Sequence, residues 1–346
     1  MRRSSVTDTL AVVKNSLRIV PEHFEVDLPR SRAVQLFKEF VELIEIETTA
    51  YCNRTCSFCP NSFLDRRTIR FMPDDTWQAI LAGMREVDYD GTVVWSRYSE
   101  PTSEKGITER IKQVKEAAPN CRVCINTNGD YLNAGYLEQL ADAGVSRLWI
   151  DTYVDDMKEY TREIAEKANG KLLKRLKLEG ELVESNPEYA YHIIHPRIEI
   201  TNHVRNVVTM IANDLSDRGG LISIARKAIR NSPCYAVFKH LVVDWDGSVM
   251  PCCQVRSDSP KHKDVVLGRI GDGGLDLVTA YLQLATWREP LSSYGEKLGV
   301  CSTCNVSDYQ TSLVNITASK LLTANNAPVK ALRKFAGSII NKKQRY

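Results

Sequence analysis

Cys52, Cys56 and Cys59 fall within eight residues, spaced C-x3-C-x2-C, directly after the apolar run that begins at Val41. Three thiols on one short loop are better metal ligands than core packing. Four protein thiolates would close a tetrahedral zinc or iron-sulfur site, whereas three leave one metal corner open to a substrate or cofactor. That open corner implies chemistry. The plainer alternative is a zinc knuckle whose fourth ligand lies elsewhere in the chain.

The rest of the chain has to build a frame for that loop. At 346 residues it can bury one large core or two modest ones. Leu10-Ala11-Val12-Val13 is too short and too soon interrupted by Lys14 for a secretory signal. No run approaches the ~18 apolar residues of a membrane span, so a cytoplasmic location is expected. There ten cysteines serve better as ligands than as disulfides. A net charge of +3 is too small to argue for nucleic acid, and none is expected as a partner.

Residues 1–40, interrupted by Pro21 and Pro29, read as an N-terminal extension. From Val41 onward, strand-like runs at 41–49, 91–98, 121–126, 146–151 and 197–202 alternate with helical patterns. The helical patterns begin at Asp74, Glu104, Tyr136 and Asp155. Such alternation implies right-handed βαβ units and a parallel sheet. Five strands cannot close an eight-stranded barrel, so the expected fold is α/β: an open partial TIM-like barrel over residues 41–215.

Parallel barrels carry their active sites where the strands end. The cysteine loop follows the first strand, Glu100 the second, Asn126 and Asn128 the third, and Asp151 closes the fourth. Asn202, His203 and Arg205 belong to the fifth. Arg97, Tyr98, His192 and His195 are candidate substrate contacts. Cys121 and Cys124 stand three apart along a strand, so they face opposite sides and suit packing better than shared ligation.

Beyond residue 230 the alternation stops. Asp246-Gly247 turns a hairpin between Leu241-Val242-Val243 and Ser248-Val249-Met250. Around it stand Cys234, Cys252, Cys301 and Cys304, four thiols that would close a site in a small domain over residues 216–310. Zinc and an iron-sulfur cluster both accept four cysteines. Cys253 is surplus to that set, and neighbours on an extended segment point in opposite directions, so it must do something else. Residues 311–346 are basic. After Pro328, the residues Val329, Leu332, Phe335, Ile339 and Ile340 recur at helical spacing. That pattern suits a helix docked on the domain, or one that meets an anionic membrane surface.

The C-x3-C-x2-C loop with Phe58 before its last cysteine resembles the radical S-adenosylmethionine (radical SAM) superfamily. In that family three such cysteines hold a 4Fe-4S cluster whose open iron binds S-adenosylmethionine (SAM). The family's Gly-Gly-Glu-Pro stretch stands here as Tyr98-Ser99-Glu100-Pro101, with both glycines replaced. The resemblance implies that Glu100 holds the SAM amine, although a cap for the helix that follows is the ordinary alternative. It likewise implies that Phe58, Asn128 and Asp151 border the cofactor. The order Cys234, Gly247, Cys252 resembles the SPASM and twitch extensions of the same superfamily, which hold auxiliary 4Fe-4S clusters. The shorter twitch form, with one auxiliary cluster, matches better.

By this resemblance the chain is a SAM-cleaving oxidoreductase or epimerase with a small-molecule substrate: a carbohydrate, an aminocyclitol or another natural-product intermediate. A flavodoxin- or ferredoxin-type protein would supply its electron. In some epimerases of the superfamily a lone cysteine returns a hydrogen atom to the substrate radical, a role open to Cys253. Peptide or protein modification is the alternative within enzymes. A non-catalytic electron-transfer or zinc-stabilised binding protein is the alternative outside them.

Overall fold

The computed structural model describes residues 5–154, 160–185, 188–212, 215–225, 229–306 and 309–323. Helices α1 (Ser5–Leu17) and α2 (Arg30–Phe40) lead into strand β1 (Leu43–Ile46). The alternation expected from sequence follows as α3 (Asp74–Glu86), β2 (Thr92–Trp95), α4 (Ile107–Ala117), β3 (Arg122–Thr127), α5 (Ala134–Ala143), β4 (Arg147–Tyr153) and α6 (Arg162–Leu176). Then come β5 (Gly180–Glu184), β6 (Tyr189–Ile193), β7 (Glu199–Arg205) and α7 (Val207–Ala212). The C-terminal part contributes α8 (Ala236–Lys239), β8 (His240–Val243), β9 (Val249–Met250), α9 (Leu277–Gln283), α10 (Ala285–Leu291) and α11 (Leu313–Thr323).

All nine strands form one sheet in the order β5-β6-β7-β4-β3-β2-β1-β8-β9. From β7 through β8 every pairing is parallel, whereas β5, β6 and β9 join antiparallel at the edges. The result is the expected open partial barrel, with differences at both margins. On one side a β5-β6 hairpin separates α6 from β7. Its first strand hid from periodicity because Leu182 and Val183 are exposed and stand between Glu181 and Glu184. On the other side, β8 from the four-cysteine region pairs with β1, so the sheet runs unbroken across the boundary expected near residue 216.

The side-chain period of two divides each strand between two environments. Ile44, Ile46, Val93, Trp95, Val123, Ile125, Leu148, Ile150, Ile200, Leu241 and Val243 all join one hydrophobic core with the surrounding helices. Their neighbours Glu45, Ser96, Asn126 and Asp151 face the inner side and line a cavity there. Cys121 lies in the outer core, and Cys124, also buried, takes an inward position, as their spacing predicted.

The first forty residues are not a peripheral extension. Leu36, Phe37 and Phe40 of α2 are part of the main core. Helix α1 packs on α11, where Asp8 accepts hydrogen bonds from Gln310 N (2.9 Å) and Asn315 Nδ2 (2.8 Å). The basic amphipathic stretch from Val329 to Ile340 lies outside the described residues. Among those described, no helix is long and apolar enough to cross a membrane.

Candidate functional site

The cysteine loop leaves β1 at the C-terminal end of the parallel strands and returns to the sheet through Met72, whose N donates to Thr48 O (2.9 Å). Between these points Cys52, Cys56 and Cys59, none in a disulfide and all half-buried, border a cavity of about 890 Å3 measured out to its mouth. Glu100, Asn126, Asn128, Asp151, Arg97 and Tyr98 border it too, each at the end of the strand expected from sequence. Phe58 lines its base, tilted against Tyr153 with ring centroids 5.0 Å apart. His192 and His195 are not among the lining residues; they face Glu181 and Glu138. Asn202 bonds to Thr152 and, on the helix side of the sheet, to Asn169 of α6, and His203 stacks on Trp149; neither is among the cavity's lining residues.

Glu100 takes the capping role and also borders the cavity. Its Oε1 accepts from Thr102 N (3.0 Å), Thr102 Oγ1 (2.5 Å) and Thr127 Oγ1 (2.6 Å), and its Oε2 from Asn128 N (2.7 Å). It therefore caps the short helical turn Pro101–Ser103 while facing the cavity. Burial pushes the carboxyl upward, and these hydrogen bonds pull it back. Across the turn, Asn128 Nδ2 donates to Asn53 Oδ1 (2.8 Å), which ties the third strand's end to the cysteine loop.

The missing glycines have a structural replacement. Arg97 takes a left-handed backbone, φ 84°, which costs an L side chain on the order of 1–3 kcal/mol unless the surroundings impose it. Those surroundings are charged: Arg97 Nη1 lies 3.7 Å from Glu47 and 3.8 Å from Asp244, all three side chains buried. Glu47 Oε1 also accepts from Tyr98 N (2.8 Å) and Ser99 N (2.6 Å), so one buried carboxylate shapes the segment where the family has glycines. Arg66 holds Glu47 with two 3.0 Å contacts and Asp244 with one of 3.4 Å. Burial raises Glu47 to about 7 despite Arg66. For Asp244 burial acts the same way, but Arg97 and Arg66 outweigh it and hold that carboxyl well below its usual range.

Sequence reasoning missed Glu45, Glu47, Arg66, Ser96, Arg218 and Asp244. A signal was present: Glu45 and Glu47 alternate with Ile44 and Ile46, whereas a strand buried on both faces of a parallel sheet is usually apolar throughout. Glu45 lines the cavity as well, bonded to Ser96 Oγ, and burial raises its carboxyl. Arg218 lines it as well, with Nη1 on Gln254 Oε1 (3.2 Å) and a buried Nε that has no hydrogen-bond partner among the described residues. Asp151 Oδ1 is buried and lacks a hydrogen bond too, although Arg205 stands 3.4 Å away. Polar groups buried without partners mark a place where a ligand is expected.

The second cysteine set encloses a smaller cavity of about 410 Å3, bordered by Cys234, Cys252, Cys301 and Cys304. Its other walls are mostly apolar, including Val237, Val255, Trp287, Leu291 and Val300, with Arg230 the one cation among its lining residues. Cys252 faces this cavity and Cys253 faces the first, so one peptide bond separates the two sites. The full opposition expected of neighbours on an extended segment does not hold: Cys253 begins a turn, and the two thiols share a side-chain hydrogen bond although they line different cavities. In each site the cysteines stand around a space, and among the described residues no three His, Cys, Asp or Glu side chains converge on a point as a single ion needs. Thiol donors spread around a cavity fit an iron-sulfur cluster better than a zinc ion.

Residues 46–180 match the Radical SAM superfamily, and residues 234–305 match SPASM, an iron-sulfur cluster-binding domain. The chain is 24% identical over 271 residues to the S-adenosyl-L-methionine-dependent 2-deoxy-scyllo-inosamine dehydrogenase of Niallia circulans, covering 78% of this chain and 94% of that protein. Among solved structures it is similar to BtrN in complex with AdoMet and 2-DOIA (TM-score 0.55, 22% identity, 79% of this chain and 96% of that one). It is also similar to selenomethionine BtrN in an open conformation (TM-score 0.50, 20% identity, 77% and 92%). These two likenesses carry the fold.

Proposed function

The chain belongs to the radical SAM superfamily and carries an iron-sulfur SPASM domain, and from that premise we propose that it oxidises a small polar molecule, a carbohydrate or aminocyclitol, at one carbon. Bound in the first cavity, a 4Fe-4S cluster with SAM supplies a 5′-deoxyadenosyl radical able to remove a hydrogen atom from an unactivated carbon. The dehydrogenase of Niallia circulans is named for such a substrate, an aminocyclitol, and this chain spans nearly all of it.

In this reading Cys52, Cys56 and Cys59 hold the cluster, and Glu100 receives the amine of SAM. Phe58, Asn128 and Asp151 border the rest of the cofactor. Glu45, Ser96, Arg97 and Arg218 form the substrate's wall, offering one carboxylate and two guanidinium groups to hydroxyl or amino substituents. Glu45 is placed to take the hydroxyl proton of an alcohol undergoing oxidation, since burial has already raised its proton affinity. Cys234, Cys252, Cys301 and Cys304 hold one auxiliary cluster. A flavodoxin- or ferredoxin-type protein is the electron source.

The observation that carries this reading is the pair of cysteine-lined cavities back to back across Cys252-Cys253, one open and charged, the other small and apolar. A radical formed in the first then has an electron acceptor next door. Cys253 supports a second reading, epimerisation, because it lines the substrate cavity and not the auxiliary site. Anaerobically reconstituted protein, incubated with SAM, a reductant and a panel of aminocyclitols in deuterated buffer, separates the two. Oxidation releases 5′-deoxyadenosine and a product lighter by two hydrogens, whether or not Cys253 is replaced by Ala. Epimerisation places deuterium in product of otherwise unchanged composition and fails in Cys253→Ala. Stoichiometric zinc without iron, and no SAM cleavage, would refute both.

A further inference from the structure

Arg230 is 5% exposed, yet its guanidinium faces the four-cysteine cavity, and its Nε has no hydrogen-bond partner among the described residues. It forms no ion pair with a carboxylate among those residues either. Its backbone is pinned to the same site, since Arg230 N donates to Cys304 O (2.7 Å). Burial works against its charge, while Cys234 and Cys304 sustain it. A second buried cation stands behind it. Lys297, 2% exposed, donates through Nζ to the carbonyls of Pro290 (3.4 Å) and Ser293, and burial together with Arg230 lowers its proton affinity. The acidic group on this side is Asp217, near Cys304, whose carboxylate accepts from Gly219 N (3.2 Å), Gly220 N (3.0 Å) and Thr303 Oγ1 (2.7 Å). Those donors offset much of its charge. The sulfur of Cys252 also accepts a backbone bond, from Gln254 N (3.4 Å).

An isolated buried arginine is costly to maintain without a counter-ion. The counter-charge that would answer it is the thiolate set these cysteines become when they hold a cluster. Four thiolates leave an iron-sulfur cluster negative overall, and one added electron makes it more so. In an apolar pocket that added charge is poorly screened, so a fixed cation beside the sulfurs favours the reduced form and raises the reduction potential. We propose that Arg230, backed by Lys297, sets the auxiliary cluster as the acceptor of the substrate's electron. The inference rests on the reading that Cys234, Cys252, Cys301 and Cys304 hold such a cluster. The electron balance is that of an alcohol oxidation: one hydrogen atom leaves the carbon, the hydroxyl loses its proton, and the remaining electron reduces the cluster by one as the C=O bond forms.

The test is a redox titration followed by electron paramagnetic resonance, in protein whose Cys52, Cys56 and Cys59 are replaced by Ala so that only the auxiliary cluster gives a signal. Arg230→Gln should make the cluster at least about tenfold harder to reduce, a fall of about 59 mV for a one-electron couple. Arg230→Lys, which keeps the charge, should stay within about threefold of the parent, and Lys297→Met should shift in the same direction as Arg230→Gln by less. A purely structural Arg230 would change iron content without moving the midpoint. Unshifted midpoints in Arg230→Gln and Lys297→Met with iron retained overturn the proposal. Should Arg230→Gln fail to load, an unshifted Lys297→Met together with an Arg230→Lys shifted as far as about tenfold does so. A parent protein that binds no iron overturns the underlying reading instead.

Discussion

The two cysteine sites differ in how they meet solvent and charge. The first has three half-buried cysteines on one flexible-length loop, a mouth, and walls bearing Glu45, Arg97, Glu100, Asp151 and Arg218. The second gathers four cysteines from distant positions, two of them 8% exposed, into an apolar space less than half as large. A site that must admit and release small polar molecules needs room and unpaired hydrogen-bonding groups. One that only exchanges electrons needs neither, and its low polarity makes each nearby charge count for more.

On the proposed function, removing either site should have unequal effects. Replacing Cys52, Cys56 and Cys59 with Ala should abolish SAM cleavage outright and halve the iron from about eight to about four per chain, measured by iron assay and by release of 5′-deoxyadenosine. Cys252→Ala should instead leave reductive SAM cleavage in place while product formation is lost. Loss of both activities in Cys252→Ala, with the fold intact by circular dichroism, would mean that the sites are not separable. Arg66→Met tests the buried charge cluster behind the first site: it leaves Glu47 and Asp244 buried with less compensation and should cost about 3–5 kcal/mol of unfolding free energy, as for other buried pairs broken on one side. Denaturant titration would read that loss. Smallest is Glu100→Gln, which should weaken SAM binding by about 1–3 kcal/mol, the range for hydrogen bonds to charged groups. Unchanged SAM affinity, with only the Pro101–Ser103 turn destabilised, would leave Glu100 as a cap alone.

Much of this was legible in the sequence, because period and spacing are local properties. The five barrel strands, the helix start at Asp74 and the Asp246-Gly247 hairpin all follow from alternation or turn chemistry. The likeness to a known superfamily added Glu100, Asn128 and Asp151, and the fold brings them to one cavity. What stayed hidden depends on residues far apart in the chain. Glu47, Arg66, Arg97 and Asp244 span almost two hundred positions, and nothing in any one segment says that they share a buried cluster. Arg230 was invisible for the same reason. The hairpin of β5 and β6 was missed because an exposed edge strand carries charge where period-two reasoning looks for burial.

Strand β8 has a consequence for how the chain reaches its fold. Until residues 240–243 exist, β1 is hydrogen-bonded on one side only, and the backbone groups of its other margin form an open strand edge in the middle of the eventual sheet. Such an edge is a template for intermolecular pairing. During synthesis β1 must wait for almost two hundred further residues, and contacts closed over so long a separation form slowly. The pairing of α1 with α11 delays completion further still. Expressed without the C-terminal half, the barrel should therefore aggregate even though every residue of its three-cysteine loop is present. The auxiliary region is, in that sense, a chaperone carried in the same chain as the strand it protects.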